Sequence, residues 1–197
     1  LLSSGDSTGA LAQFDQAYQL DPSNALASLH LARIHREERD LVAAIQYYTR
    51  AIEGFPADSA IRNELAAVYF ENGQYAELVK LLAPYEAASV DTQLTLAAGY
   101  LELNDVDKAR QLIRRAKATL GSKDPRVRVL NAMADRETGN VQKALAELQD
   151  LVASNPAGYR AQYQLGLTAL KAGNWDVAIN ALQVAKQGLE LPLSIKM

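Results

Sequence analysis

The chain of 197 residues contains no cysteine, which excludes disulfide bonds, thiolate metal sites and cysteine nucleophiles. Histidine is almost as scarce, since only His30 and His35 are present. They lie five positions apart on a predicted helix, so they do not share a face as a pair of metal ligands would. No apolar run approaches the roughly 18 residues of a membrane span. We therefore predict no metal site and no transmembrane segment in this sequence.

Charge of one sign is not in large excess either. The formal net charge is −3, which is too small to favour a polyanion ligand for the chain as a whole. The motifs of catalytic serines, phosphate-binding loops and dinucleotide-binding turns are absent from the sequence. Carboxylates cluster beside predicted helix ends, where solvated ion pairs explain them. We predict that the chain is not an enzyme and binds no cofactor.

What the sequence has instead is a repeat with a period near 34 residues. Its anchor is a small or apolar residue that recurs at separations of 34, 34, 31, 35 and 34. The anchors are Ala10, Ala44, Leu78, Ala109, Ala144 and Ala178. Apolar or small residues follow each anchor four and seven positions later, which places all three on one helical face. A second helical stripe precedes each turn, so every complete unit is predicted to be helix, tight turn, helix.

This order of small residues, aromatic residues and proline resembles the tetratricopeptide repeat. The resemblance implies an all-α fold, a right-handed superhelical solenoid of antiparallel helix hairpins that cover each other's apolar faces. We interpret the chain as one solenoid domain and a fragment of a longer protein. The predicted units are a partial repeat at 1–24 with the second helix only, repeats at 25–58, 59–89, 90–124, 125–158 and 159–192, and a tail or the start of a further repeat at 193–197.

Several positions depart from a regular repeat. Pro84 removes a backbone donor, so the second helix of the short 59–89 unit is predicted to kink or end early. Asn131 and Asp135 stand where leucine and tyrosine are usual, which predicts looser packing in their unit. His35 and Trp175 occupy positions that are apolar or aromatic in other units, and both are predicted to serve packing rather than ligand binding.

The resemblance implies that the first helix of each unit lines a concave groove. The positions carried over form a mostly apolar strip edged by arginines, which suits an amphipathic helix or an extended apolar segment with some acidic groups. The alternative is that this strip packs against a neighbouring domain or superhelical turn. The predicted partner-binding residues are Leu29, Arg33, Arg36, Asn63, Phe70, Leu94, Leu101, Val129, Met133, Arg136, Tyr163 and Leu167.

A second candidate surface is basic. Between positions 108 and 128, eight lysines and arginines face a single acid, Asp124. Such a patch attracts an anionic polymer or lipid, although a solvated helix face is the alternative explanation. Aromatic residues do not alternate with these charges, so nucleic acid is not a predicted partner. The patch residues are Arg110, Arg114, Arg115, Lys117, Arg126 and Arg128.

Together these observations predict a non-catalytic scaffold that binds a partner protein or peptide segment in its groove. The setting that the family resemblance favours is a bacterial multiprotein assembly of the secretion or exopolysaccharide-export type. Periplasm or cell envelope is accordingly favoured over cytoplasm. One alternative function is a structural spacer that links flanking domains in a larger envelope protein. The other is binding of an anionic polymer or lipid by the basic face at 108–128. No particular oligomeric state is implied.

Overall fold

The computed structural model of the chain describes residues 7–190, and within that range all regular structure is helical. The predicted all-α fold of helix hairpins is therefore confirmed. The predictions for residues 1–6 and 191–197 lie outside the described residues. The helices are α1 (Ser7–Leu20), α2 (Ala25–Glu37), α3 (Leu41–Gly54), α4 (Ser59–Glu71), α5 (Tyr75–Leu82), α6 (Val90–Glu102), α7 (Val106–Leu120), α8 (Pro125–Glu137), α9 (Val141–Ser154), α10 (Tyr159–Lys171) and α11 (Trp175–Glu190).

Polar side chains define where many of these helices begin. At each such position a side-chain oxygen accepts a hydrogen bond from a backbone N–H in the first helical turn, which would otherwise lack a partner. The capping side chains are Asn24, Asp40, Asp58, Ser89, Asp105 and Asp124. Their placement directly after the turns explains why successive helices start at a nearly constant spacing.

The turn inside each hairpin needs one residue in the left-handed region. Gly73, Gly139 and Gly173 fill this position with φ values of 73°, 85° and 74°, whereas Arg39 and Asn104 fill it with φ values of 67° and 59°. The backbone N–H after this residue donates to a carbonyl five residues earlier, as in the 2.8 Å bond from the N–H of the residue that follows Gly139 to the carbonyl of Asp135. This bond satisfies a carbonyl at the end of the first helix.

The chain divides between Ala88 and Ser89 into two compact units. Unit 1 contains α1 and the hairpins α2/α3 and α4/α5, and its core is a buried apolar cluster centred on Tyr48 and Leu65. Unit 2 contains the hairpins α6/α7, α8/α9 and α10/α11. The repeat boundaries and the single continuous domain inferred from the sequence stay predictions.

Within unit 2 the first helices of neighbouring hairpins lie against one another. Helix α8 contacts both α6 and α10, whereas α7, α9 and α11 make no comparable set of contacts with one another. Because the first helices are packed more closely than the second helices, they lie on the concave side of this stack. We call the surface formed by α6, α8 and α10 the inner face.

Two of the irregular positions have different outcomes. Helix α5 ends at Leu82 and a short 3₁₀ turn over Ala83–Tyr85 follows, as expected where Pro84 interrupts the helix. The packing role predicted for Trp175 is wrong, because 64% of its surface is exposed at the start of α11. No helix in the described part of the chain has the length and apolarity to cross a bilayer.

The left-handed turn position predicts that substitutions at Gly139 and at Arg39 change the free energy of unfolding in opposite directions. A Cβ added at Gly139 would meet no atom within 4 Å, so Gly139→Ala tests backbone strain alone. We expect this variant to lower the free energy of unfolding by about 1 kcal/mol.

Arg39→Gly relieves the same strain and is expected to raise the free energy of unfolding by up to about 1 kcal/mol, less what the Arg39 side-chain contacts contribute. Urea unfolding followed by circular dichroism measures both changes. A neutral Gly139→Ala variant would contradict the strain argument.

Candidate functional site

The groove arginines predicted in unit 1 form ion pairs with the next first helix. Arg33 on α2 donates from Nε and Nη2 to the two carboxylate oxygens of Glu64 on α4, at 2.8 and 2.6 Å. The Tyr48 hydroxyl donates to the same carboxylate at 2.8 Å. Arg36 donates to Glu71 at 2.7 Å. These arginines link α2 to α4, so their charges are already neutralised within the fold.

The protonation states in this cluster favour a structural role. Burial acts to raise the pKa of Glu64, but hydrogen bonds from Arg33 and Tyr48 outweigh it and hold that pKa below the ordinary value. Burial and the neighbouring Glu64 charge raise the pKa of Tyr48. Glu64 is therefore charged and Tyr48 neutral throughout the physiological range, so neither is poised for proton transfer.

The other predicted groove residues of unit 1 offer little free surface. Leu29 is buried in the unit 1 core cluster. Asn63 and Phe70 are half-buried on α4, and the Phe70 ring meets that of Tyr75 edge to face with centroids 5.2 Å apart. Their assignment to partner binding stays a prediction.

The apolar strip predicted in unit 2 is largely covered. Leu94, Leu101, Val129 and Met133 are between 3% and 8% exposed, and the helices that carry them, α6 and α8, pack against each other. Leu167 is half-buried, and Tyr163 on the last first helix is 44% exposed. Contact of these residues with a partner stays a prediction, and among the described residues of unit 2 the exposed leucine and tyrosine of this register, Tyr163 and Leu170, lie on α10.

Arg136 is the buried charge of the inner face, with 8% of its surface exposed. Its Nε donates to Glu137 at 2.8 Å, and its Nη1 donates to the side-chain oxygen of Gln164 at 2.8 Å. Lys171 on α10 reaches Glu137 at 3.3 Å. These bonds connect α8 to α10 without using Nη2 of Arg136.

A pocket of about 420 Å³ opens beside Arg136. Burial raises the pKa of the Glu102 carboxyl in this pocket, and the neighbouring Glu137 charge adds to the rise while Arg136 opposes it. Glu102 and Asn104 follow the positions that the resemblance assigned to the groove, so sequence reasoning missed them. The sequence signal that could have drawn attention to them is Asn104 itself, since glycine occupies the equivalent turn position at residues 73, 139 and 173. The pocket is lined by Leu101, Glu102, Asn104, Met133, Arg136 and Glu137.

The basic segment is partly neutralised by acids from neighbouring helices. Arg110 pairs with Asp135 at 2.9 Å, Arg126 pairs with Asp91 at 3.0 Å, and Arg128 pairs with both Glu147 and Asp150. The exposed cations that remain on α7 include Arg114 and Lys117, whereas Arg115 also has a contact of its own. An anionic ligand for this face stays a prediction, with less free charge than the sequence indicates.

Asp135 forms buried ion pairs within its unit. The residue is buried where tyrosine is usual, and it accepts from Arg110 on α7 and pairs with Lys143 on α9 at 2.9 Å. Burial acts to raise the pKa of Asp135, but these two cations hold it below the ordinary value. Ion pairs take the place of the aromatic contact here, and the looser packing expected in this unit stays a prediction.

Both histidines lie against aromatic rings. His35 stacks on Tyr47 with ring centroids 5.3 Å apart, and His30 stacks on Phe14 at 4.3 Å. These contacts agree with the packing role predicted for His35. Within residues 7–190 no group of histidine and carboxylate side chains is arranged to hold a metal ion.

Comparison with known proteins identifies the family to which the repeat is similar. One family model described as tetratricopeptide repeat matches residues 1–59 and 129–188, and a second with the same description matches residues 35–92. A search of curated proteins finds no significant match.

Solved structures of repeat proteins are similar in fold. A tetratricopeptide repeat protein from Parabacteroides merdae aligns with a TM-score of 0.73 at 18% identity, over 92% of this chain and 73% of that chain. TTC0263 from Thermus thermophilus aligns at 0.67 and 16% identity, over 83% and 90%. YrrB, described as a repeat protein with an unusual peptide-binding site, aligns at 0.54 and 20% identity, over 87% and 90%. At these identities the likeness shows the fold alone.

The Arg33, Tyr48 and Glu64 cluster generates a second stability prediction. Glu64→Gln removes the charged acceptor, and we expect the free energy of unfolding to fall by about 1–2 kcal/mol at pH 7, given that the site is partly exposed. Because the folded pKa of Glu64 is lowered, its contribution is present above the unfolded value of about 4.3 and is lost as pH falls through the folded value. The difference between variant and wild type should therefore shrink below about pH 4.

Urea unfolding at pH 7 and at lower pH measures this difference. Glu53→Gln is the matched control, because Glu53 is exposed on α3 without a hydrogen bond to the described residues. Equal stability losses for the two variants would show that the cluster does not stabilise unit 1.

Proposed function

This chain belongs to the tetratricopeptide repeat family, and on that premise we propose that it is a scaffold that binds a partner protein or peptide segment on the inner face of unit 2. Proteins of this family are generally non-catalytic scaffolds with protein or peptide partners. We propose that this chain is likewise not an enzyme.

The observation that carries the proposal is the pocket beside Arg136. It lies on the inner face, and it gathers polar groups that the fold does not use fully, including the Glu102 carboxylate. Groups of this kind set the orientation of a ligand, whereas the buried part of a site supplies its apolar contact. The buried side chains of Leu101 and Met133 provide that apolar contact here.

Helix α10 adds an apolar surface next to the pocket. Tyr163, Leu167 and Leu170 are spaced by four and three residues, which places them on one face of α10. Tyr163 and Leu170 are 44% and 39% exposed. Tyr163 and Leu170 occupy the same repeat positions as Leu94 and Leu101 on α6. Hydrogen bonds from Arg136 to Gln164 and from Lys171 to Glu137 hold α10 beside α8. A peptide lying across α10 and the pocket would therefore meet an apolar strip and a polar pocket.

The groove proposed here differs from a uniformly apolar one. Its arginine is buried and held by Glu137 and Gln164 rather than placed at an exposed edge. The peptide-binding site named for YrrB supports the class of ligand, although that protein is only 20% identical. A bacterial secretion or export assembly in the cell envelope remains our proposal for the setting, supported by the family resemblance of an alanine-rich, cysteine-free chain.

Peptide selection tests the proposed surface. Peptides selected from a random displayed library on the whole chain are expected to bind it with micromolar affinity. Tyr163→Ser should weaken them about tenfold, because an aromatic contact of this kind contributes on the order of 1–2 kcal/mol. Isothermal titration with purified chain and synthetic peptides measures the change.

Ile179→Ser is the matched control, because Ile179 is 55% exposed on α11, a second helix outside the inner face. It should leave peptide affinity within about twofold of wild type. Peptides that respond equally to both variants, or to neither, would place binding elsewhere and overturn the proposal. Circular dichroism of both variants confirms that they fold.

A further inference from the structure

The Arg136 guanidinium has unused hydrogen-bonding capacity in the pocket. An arginine side chain carries five N–H donors in a fixed plane. The bonds that Arg136 makes within the described part of the chain use Nε, toward Glu137, and Nη1, toward Gln164 and Thr168. Nη2 makes no hydrogen bond to the described residues and keeps contact with solvent. Arg136, which is 8% exposed and lines the pocket, therefore has two N–H donors on Nη2 that the described residues do not use.

Acceptors without donors lie in the same pocket. No side chain among residues 7–190 donates a hydrogen bond to the Glu102 carboxylate, although Arg136 is close enough to interact with its charge. The Asn104 amide also lines the pocket, and its backbone is held in the left-handed region with φ of 59°. The pocket thus offers a guanidinium donor and a carboxylate acceptor to one ligand group.

The balance of charge argues against an ionic ligand. Glu102 and Glu137 carry two negative charges, and Arg136 and Lys171 carry two positive charges, with Lys171 bonded to Glu137. A ligand carboxylate bonded to Nη2 would be repelled by Glu102, and a ligand ammonium bonded to Glu102 would be repelled by Arg136. A neutral group with both an acceptor and a donor matches this pocket without either penalty.

We propose that the pocket binds the carboxamide side chain of a glutamine or asparagine in the partner peptide. The carboxamide oxygen accepts from Nη2 of Arg136, and its NH₂ group donates to the Glu102 carboxylate. Leu101 and Met133 contact the methylene groups of that side chain. The inference rests on the proposed peptide-binding function and names the residue type that this function selects.

The volume of the pocket is consistent with a side chain rather than a small ion. About 420 Å³ is enough for a glutamine side chain and the neighbouring backbone atoms. Arg136 is only 8% exposed, so a ligand without an acceptor leaves a largely buried donor unpaired, and the exposed Glu102 carboxylate supplies the matching acceptor at the pocket rim. Glutamine should accordingly be distinguished from glutamate, lysine and alanine at one peptide position.

The test uses the peptides selected from a random displayed library on the whole chain. We expect glutamine or asparagine at one fixed position relative to the apolar residues of the peptide. Replacing that residue by glutamate, lysine or alanine should weaken binding at least tenfold by isothermal titration. Glu102→Gln should weaken the same peptides at least fivefold, because a neutral amide is a weaker acceptor than a carboxylate.

Asp107→Asn is the matched control, because Asp107 is an exposed acid on α7 outside the pocket, and it should leave affinity unchanged. Peptides that lose affinity in Tyr163→Ser but show no carboxamide preference and ignore Glu102→Gln would overturn this inference while the proposed function stands. A charged residue enriched at the fixed position would also overturn it. Peptides that ignore Tyr163→Ser and Glu102→Gln alike would contradict both proposals.

Discussion

Contact between successive hairpins is the interaction on which the rest of unit 2 depends. A single hairpin cannot bury its own apolar face, so α8 packs against both α6 and α7, and α10 packs against both α8 and α9. Leu101 and Met133 lie in these contacts and are nearly inaccessible. On α10, by contrast, Tyr163 and Leu170 remain exposed. The same packing brings the end of α6 beside Arg136, where the pocket forms.

Polar bonds at the spacing of one repeat complement this apolar packing. In unit 1, Arg33 and Glu64 join α2 to α4, and in unit 2, Arg136 and Gln164 join α8 to α10. Asp135 on α8 forms ion pairs with Arg110 on α7 and Lys143 on α9. Buried polar groups of this kind must be paired to be tolerated, so most of the charges near the first helices serve the fold. The groups left with unused capacity at Arg136 and Glu102 are for that reason the informative ones.

Much of the fold was predictable from the sequence because periodicity reports helix faces directly. The anchors at Ala44, Ala109 and Ala144 are fully buried in the structure, and the tight turn expected after α8 is present, with Gly139 in the left-handed region. The candidate site was predictable only in part. Arg136, which its register assigns to the groove, lines the pocket, whereas Glu102 at the end of α6 and Asn104 in the following turn were missed because they lie outside the positions that the repeat assigns to the groove.

The sequence by itself determined the repeat, the helical class and the register that puts Leu101, Met133 and Tyr163 on equivalent faces. Only the tertiary structure decided which of these residues meets solvent, because exposure depends on whether another helix lies above a face, and local periodicity does not contain that information. It also decided that Arg33 is bonded to Glu64, whereas Arg136 bonds through Nε and Nη1 and leaves the donors of Nη2 unused. The charge of Arg33 is visible in the sequence, but the partner that neutralises it, Glu64, lies 31 residues away and is brought close only by the fold.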